Sequence, residues 1–239
     1  MSTLFISDLH LSQEQPHITE LFLTFLRDTA PQADALYILG DLFEVWLGDD
    51  MSIPAYQACI DALQTLSQNG LAIYVMYGNR DFLMREQFES HSGAHLIHEP
   101  YVINLYDTPT LLLHGDILCT DDLKYQQLRT QFRNADWQTS FLALTPAERL
   151  AQAQKYREGS KKETAQKAEQ IMDVTQQAVE QTMQQHQVYQ LIHGHTHRPA
   201  IHEFSLNDKT AKRIVLSDWG QKGYYLQVDQ QGIQQHEFQ

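Results

Sequence analysis

Apolar and polar positions change period several times along the chain, and each change marks an element. Short runs rich in β-branched and aromatic residues at 4–7, 35–39 and 73–77 alternate with stretches of helical spacing. One such stretch, 18–29, sets Leu21, Phe22, Phe25 and Leu26 on one stripe, and a second covers 56–66. The order βαβαβ predicts an open, mostly parallel sheet with helices packed on it. A further helix is expected near 82–90, and runs at 101–105 and 110–113, joined through Asp107, Thr108 and Pro109, read as a hairpin.

Between 121 and 186 the character shifts. Gln, Ala, Lys, Arg and Glu dominate, β-branched residues are few, and Pro146 following Thr145 marks a helix start, so this segment is expected to be a helical insertion. Strand-like runs resume at 188–192, 200–204, 213–217, 224–228 and 233–238, the last four predicting one antiparallel run. No internal repeat is evident.

Composition narrows this picture. At 239 residues, 42% hydrophobic and 20% charged, the chain fits one α/β domain over 1–239 that carries the 121–186 insertion. No apolar run approaches the roughly 20 residues a spanning helix needs. The start of the chain lacks a basic region and carries Asp8 and His10, so no export signal is expected. Cys59 and Cys119 are accordingly expected as reduced thiols in cytoplasm. A net charge of −13 argues against nucleic acid as a partner, because backbone binding relies on clustered Lys and Arg. Residues 124–167 are the local exception, with nine of the seventeen basic residues against four acids. That stretch is either a solvated helical face or a surface for an anionic ligand or membrane.

The chemistry gathers where strands stop. The five runs ending near 7, 39, 77, 113 and 192 deliver, in turn, Asp8 and His10; Gly40 and Asp41; Gly78, Asn79, Arg80 and Asp81; His114, Gly115 and Asp116; and His193 to Pro199. In open α/β sheets the carboxyl edge of the strands is where ligands bind. Asp8, His10, Asp41, Asn79, His114, His195 and His197 offer oxygen and imidazole donors without a thiolate, which suits Mn²⁺, Fe²⁺, Zn²⁺ or Co²⁺. Seven donors exceed what one open catalytic ion uses. A metal pair sharing a carboxylate fits them, with a water brought to a pKa near ~7 as nucleophile for phosphoryl displacement. His91, His95 and His98 lie outside the pattern and are expected as surface loop histidines. Asp81 reads either as a brace for its loop or as the N-cap of the helix after Phe82.

With these blocks in view, D-x-H, G-D, G-N-x, a later His and G-H-x-H in order from Asp8 to His197, the chain resembles the calcineurin-like metallophosphoesterases. The resemblance implies a four-layer αββα metallophosphoesterase sandwich with a dinuclear site at one edge. Asp8, His10 and His197 would hold the first ion, Asn79, His114 and His195 the second, and Asp41 would bridge. Within that family, "ADALYILGDLFEVWLGDD", "GNRDFL", "HGDILCTDD", "IMDV" and "LIHGHTHRP" are similar to the UDP-2,3-diacylglucosamine pyrophosphohydrolases of lipid A biosynthesis. That implies two Mn²⁺ ions per chain, attack at the phosphorus nearer uridine, and UMP and 2,3-diacylglucosamine 1-phosphate as products. It also makes 121–186 a helical lid over the acyl chains, and implies peripheral contact with the cytoplasmic face of the inner membrane. We expect a monomer. Substrate contacts carried over from the resemblance are Asn79, Arg80, Asp122, Ser160, Thr164, Lys167 and His195; Thr164 departs from the Asn found in many relatives. Catalytic roles fall to Asn79, Arg80 and His195. Where phosphomonoesterases and nucleases of the wider family carry His after the motif Asn, this chain has Arg80, which cannot give up a proton. A nuclease or cyclic-nucleotide phosphodiesterase is the competing enzymatic reading, and a fold-retaining scaffold the non-enzymatic one; the seven intact donors speak against the scaffold.

Overall fold

In the computed structural model of the chain, residues 2–164, 171 and 173–239 are described. Alternation along the strands accounts for the architecture. In β1 (Thr3–Ile6), β2 (Ala35–Ile38) and β3 (Ala72–Met76), Leu4, Ile6, Leu36, Ile38, Ile73 and Val75 face one way and join a core with Phe22, Phe25, Ile60, Leu63 and Phe88 of the covering helices. Phe5, Tyr37 and Met76 face the other way and meet Leu112, Ile192 and Ile214 of a second sheet. Period-two alternation on strands buried on both faces produces two cores from one sheet. A third core, with Leu111, Leu113 and Leu191 against Val179 and Met183, closes the far side. The molecule is therefore a four-layer αββα sandwich.

Sheet I runs β11-β10-β1-β2-β3-β4 and sheet II runs β5-β6-β7-β9-β8. The remaining strands are β4 (His95–Ile97), β5 (Tyr101–Leu105), β6 (Thr108–Leu113), β7 (Gln190–His193), β8 (Ala200–Leu206), β9 (Lys209–Val215), β10 (Gly223–Asp229) and β11 (Gly232–Phe238). Strands β1 to β4 are parallel neighbours, as are β6, β7 and β9. The expected single antiparallel run of the last four strands is instead two hairpins on different sheets. β8 and β9 pair within sheet II, whereas β10 and β11 extend sheet I antiparallel to β1. The exposed His95 belongs to the short strand β4 and not to a loop.

Helices α1 (Pro16–Asp28), α2 (Asp49–Ala55), α3 (Gln57–Gln68) and α4 (Glu86–Ser92) cover sheet I. The helix expected from residue 82 begins four residues later, because buried Asp49 organises its start. Its carboxylate accepts hydrogen bonds from the backbone N–H of Arg85 and Phe88, 3.1 Å each. After β6 come α5 (Leu123–Phe132), α6 (Ala135–Leu142), α7 (Pro146–Thr164) and α8 (Gln176–Gln185). Thr145 and Glu148 form a reciprocal capping box at the start of α7. Helix α8 packs on sheet II through Val179 and Met183, whereas Phe141 of α6, with Trp137 and Leu142 beside it and Ala153 of α7, packs against the first core.

Candidate metal centre and adjoining cavity

The loops leaving β1, β2, β3, β6 and β7 meet at one edge of the sandwich. Asp8, His10, Asp41, His195 and His197 all take positive φ, between 50° and 69°, a region costly for residues with a Cβ. Five such residues at one edge place backbone strain where donor groups must be aimed. The loops also brace each other: Asp8 N–H donates to Gly40 O at 3.1 Å and His10 N–H to Asp41 O at 3.0 Å. Two glycines permit this crowding. A Cβ on Gly78 would collide with the backbone nitrogen and carboxylate of Asp41, and one on Gly194 with the carboxylate of Asp8 and the hydroxyl of Ser7.

Two groups have ligand atoms close enough to share an ion: Asp8, His10 and His197, and Asp8, Asp41 and His114. His10 Nε2 is 3.4 Å from His197 Nε2 and 3.8 Å from Asp41 Oδ2. His114 Nε2 lies 3.0 Å from Asn79 Oδ1 and 3.8 Å from Asp41 Oδ1, so Asp41 stands between the groups with one oxygen toward each. His195 donates its backbone N–H to Asp8 Oδ2 at 2.9 Å and sets its ring edge-on to His114, 5.0 Å between centroids.

The donors fit divalent cations. Asp8 is fully buried, yet its Oδ1 accepts no hydrogen bond among the described residues. His114 Nδ1 meets Leu39 O at 2.9 Å, and a carbonyl only accepts, so Nδ1 carries a proton and Nε2 is the nitrogen turned to the centre, available to a cation once its own proton is displaced. Outer carboxylates back two other histidines: Glu44 Oε2 is 3.0 Å from His10 Nδ1, and Asp218 Oδ2 is 3.3 Å from His197 Nδ1. Burial would lower the pKa of His114, but Asp41, Asp116 and Asp8 outweigh it and carry it up to about 9. Burial opposes protonation of His197 too, and Asp218 and Asp8 take it to about 10. The carboxylates thus form a pocket that stabilises positive charge. His195 behaves oppositely, its pKa pushed down to about 4 by burial and by the neighbouring His114, which leaves a neutral imidazole.

Other residues hold the frame without offering a donor. Asp81 accepts from the backbone N–H of Leu42 and Gly78, 2.8 Å each, and of Phe43 at 3.3 Å. It clamps the Asp41 loop to the Asn79 loop, which decides between its two sequence readings in favour of the brace. Buried His193, the first histidine of "HGHTHRP", donates from Nδ1 to Gly194 O at 2.8 Å and accepts at Nε2 from Arg213 at 3.2 Å. Both nitrogens are engaged, so it is structural. Asp116 accepts from Tyr125 Oη at 2.5 Å and Arg129 Nε at 2.9 Å, and Arg129 reaches Glu99 at 2.6 Å. This pins α5 to the loop carrying His114. The "HGD" triplet contains Asp116, but nothing in the sequence points to Tyr125, Arg129 or Glu99 as its partners.

A cavity of about 370 Å³ opens beside the donor cluster, between the β2 and β3 loops and helices α5 to α7. Its lining includes Asn79, Asp116 and Tyr125, the four arginines Arg80, Arg129, Arg133 and Arg157, and the apolar side chains of Trp46, Phe82, Phe132, Trp137, Phe141 and Leu150. Arg80 Nε is buried without a partner among the described residues. Of the substrate contacts expected from sequence, Asn79, Arg80 and Ser160 line this cavity, and His195 faces the metal ligands. Asp122 caps α5 by accepting from Tyr125 N–H at 3.1 Å. The side chain of Thr164 and all of Lys167 lie outside the described residues.

Comparison with known proteins brings in two kinds of relative. The family model for calcineurin-like phosphoesterases matches residues 1–199. A protein of Stenotrophomonas maltophilia (strain K279a) named UDP-2,3-diacylglucosamine hydrolase is 49% identical over 97% of this chain and 96% of its own length. Proteins of the same name from Aeromonas salmonicida (strain A449), 52% identical over 95% of this chain and 89% of theirs, and Serratia proteamaculans (strain 568), 48% identical over 100% and 99%, are similar along their length.

Proposed function

The chain belongs to the calcineurin-like phosphoesterase family, and from that premise we propose that it hydrolyses the pyrophosphate bond of UDP-2,3-diacylglucosamine, releasing UMP and 2,3-diacylglucosamine 1-phosphate for lipid A biosynthesis. The observation that carries the reading is one cavity that combines Asn79 of the donor cluster with four arginines and a set of aromatic side chains. A diphosphate joined to acyl chains needs the same three kinds of surface. Asp8, His10, Asp41, Asn79, His114, His195 and His197 would hold the two Mn²⁺ ions that this reading assigns to the centre. When bound, such a pair supplies a nucleophilic water near neutral pH and neutralises phosphate charge.

The chain's own groups complete the reaction. Arg80 contributes a fixed positive charge to a non-bridging oxygen of the α phosphorus, where negative charge grows during attack. Having no proton to give, Arg80 is no general acid, and a phosphate leaving group needs little protonation. Asn79 and neutral His195 orient the reacting phosphate beside the centre, and Asp122, Ser160, Thr164 and Lys167 are the further contacts to the head group. Helices of the 121–186 insertion act as a lid whose aromatic side, Phe132, Trp137 and Phe141, excludes water and takes up acyl chain.

We also place the protein, as a monomer, on the cytoplasmic face of the inner membrane. Leu123, 70% exposed, stands on the helical cover beside Lys124, a combination suited to an anionic leaflet. Among the described residues no helix is long and apolar enough to cross a membrane, so the contact would be peripheral. The test is incubation of purified protein with UDP-2,3-diacylglucosamine and Mn²⁺, with and without chelator. Chelator-sensitive UMP release is expected; turnover of DNA or cyclic nucleotides with no UMP would overturn the reading.

A further inference from the structure

One carboxylate is shared between the metal centre and the helical cover. Glu44, in the loop after β2, sets Oε2 3.0 Å from Nδ1 of His10, within ion-pair distance though not aligned as a hydrogen bond, and Oε1 2.5 Å from the Arg157 guanidinium on α7. His10 turns its other nitrogen, Nε2, toward Asp41 and His197, so Glu44 stands directly behind a candidate ligand. Carboxylates in that position set the tautomer and orientation of a ligating histidine. Arg157 is separated from Glu44 by 113 positions in sequence and lines the cavity, with its Nε unpartnered among the described residues.

We propose that Glu44 is a positioning residue that couples the docking of α7, through Arg157, to metal binding at His10. The guanidinium fixes one carboxylate oxygen and thereby where the other can stand. When α7 withdraws, Glu44 turns toward solvent and His10 loses its support; when a cation is bound at His10, the oriented Glu44 favours α7 in place. Two sites sharing one movable group influence each other reciprocally. The cover then closes best over a loaded centre, so a molecule entering an unloaded one meets a looser cavity. The inference rests on the metal reading of the site and not on the identity of the lipid substrate.

A double-mutant cycle tests it, with Mn²⁺ affinity of the metal-depleted full chain read by calorimetric titration. Glu44→Gln should weaken the affinity about 10- to 100-fold, the usual effect of losing a histidine's outer partner. Arg157→Gln should change it about fivefold or more when Glu44 is present, and not at all in the Glu44→Gln background. A direct field from the arginine charge would give equal changes in both backgrounds, and that result, or no change in either, would overturn the coupling. Amide exchange supplies a readout that needs no titratable affinity. Mn²⁺ should slow exchange across the start of α7 in the wild type and leave it unaltered in Glu44→Gln; equal slowing in both would also overturn it. Absence of any Mn²⁺ binding by the wild type would instead remove the metal reading itself, and the coupling with it.

Discussion

At the strand-end edge the loops brace one another through backbone hydrogen bonds and the carboxylates of Asp8, Asp41 and Asp81 are buried, whereas the helices across the cavity bury very little. Helix α5 has no buried residue and α6 has only Phe141, while Asp8, Asp41 and His114 are essentially inaccessible. The edge is continuous with the cores of the sandwich. The cover is attached by one apolar seat, Phe141 with Trp137 and Leu142 on the first core, and by arginines: Arg129 to Asp116 and Glu99, Arg149 to Asp50 and to Leu47 O, Arg157 to Glu44, and Arg85 of the body to Gln138. Fixed geometry serves charge stabilisation, where small misplacements are expensive. A surface held by few buried contacts opens at lower cost than the cores themselves, which suits a site that must admit a flexible apolar ligand. The comparison teaches that chemistry and accommodation are assigned to regions of different rigidity.

The largest effect should come from breaking the rigid side. Asp41→Ala removes the carboxylate that stands between the two donor groups, and activity should fall about 10³-fold, on the order of 4 kcal/mol. Bound Mn²⁺, counted by elemental analysis, should fall with it; full metal content with lost activity would mean that Asp41 acts on substrate and not on metal. Arg80→Ala separates the two sides, since its backbone N–H braces Asp41 Oδ1 at 2.8 Å while its side chain faces the cavity. Here kcat should fall about 10²-fold, or ~3 kcal/mol, with metal content intact. Metal loss in that variant would make the arginine part of the rigid edge.

Asp81→Asn tests rigidity without touching a donor. An amide in place of the carboxylate turns an N–H₂ toward backbone N–H groups at the junction of two loops, leaving a buried donor unsatisfied at a cost of about 2 kcal/mol. For a chain of this size that lowers Tm by roughly 4–8 °C, read in chelator so that metal does not mask it. An unchanged Tm would show that the loops are held by the rest of the edge alone.

The same contrast explains what could be seen from the sequence. Strands β1, β2 and β3 were legible because alternation with both faces buried leaves a strong apolar signal, and the residues after them stand out as polar groups at strand ends. The destination of the last two hairpins was not, since β8–β9 and β10–β11 carry the same alternation and only packing distinguishes the two sheets. Strand β4 is three residues long with His95 exposed, too short for a period to show. Asp49 and Asp81 act across 36 to 39 positions, and no local pattern marks such reach. His193 sits inside the densest histidine motif, and only Arg213 on β9 shows it to be occupied. Composition alone marks the cover as helical, and α5 shows no apolar stripe because it has no buried residue to form one.

The smallest expected effect belongs to the adaptable side. Phe132 on α5 packs its ring 4.8 Å from Trp137, 5.0 Å from Tyr156 and 5.8 Å from Phe82, joining all three helices of the cover to the body in one aromatic cluster on the cavity wall. If this cluster takes up acyl chain equally in the ground and transition states, Phe132→Ala should raise KM about tenfold, ~1.4 kcal/mol, while kcat holds. With a short-chain analogue that does not reach the cluster, both constants should match the wild type. A fall in kcat with either substrate would mean that the aromatic cluster transmits order to the donor edge, and that the two regions are less separable than their packing indicates.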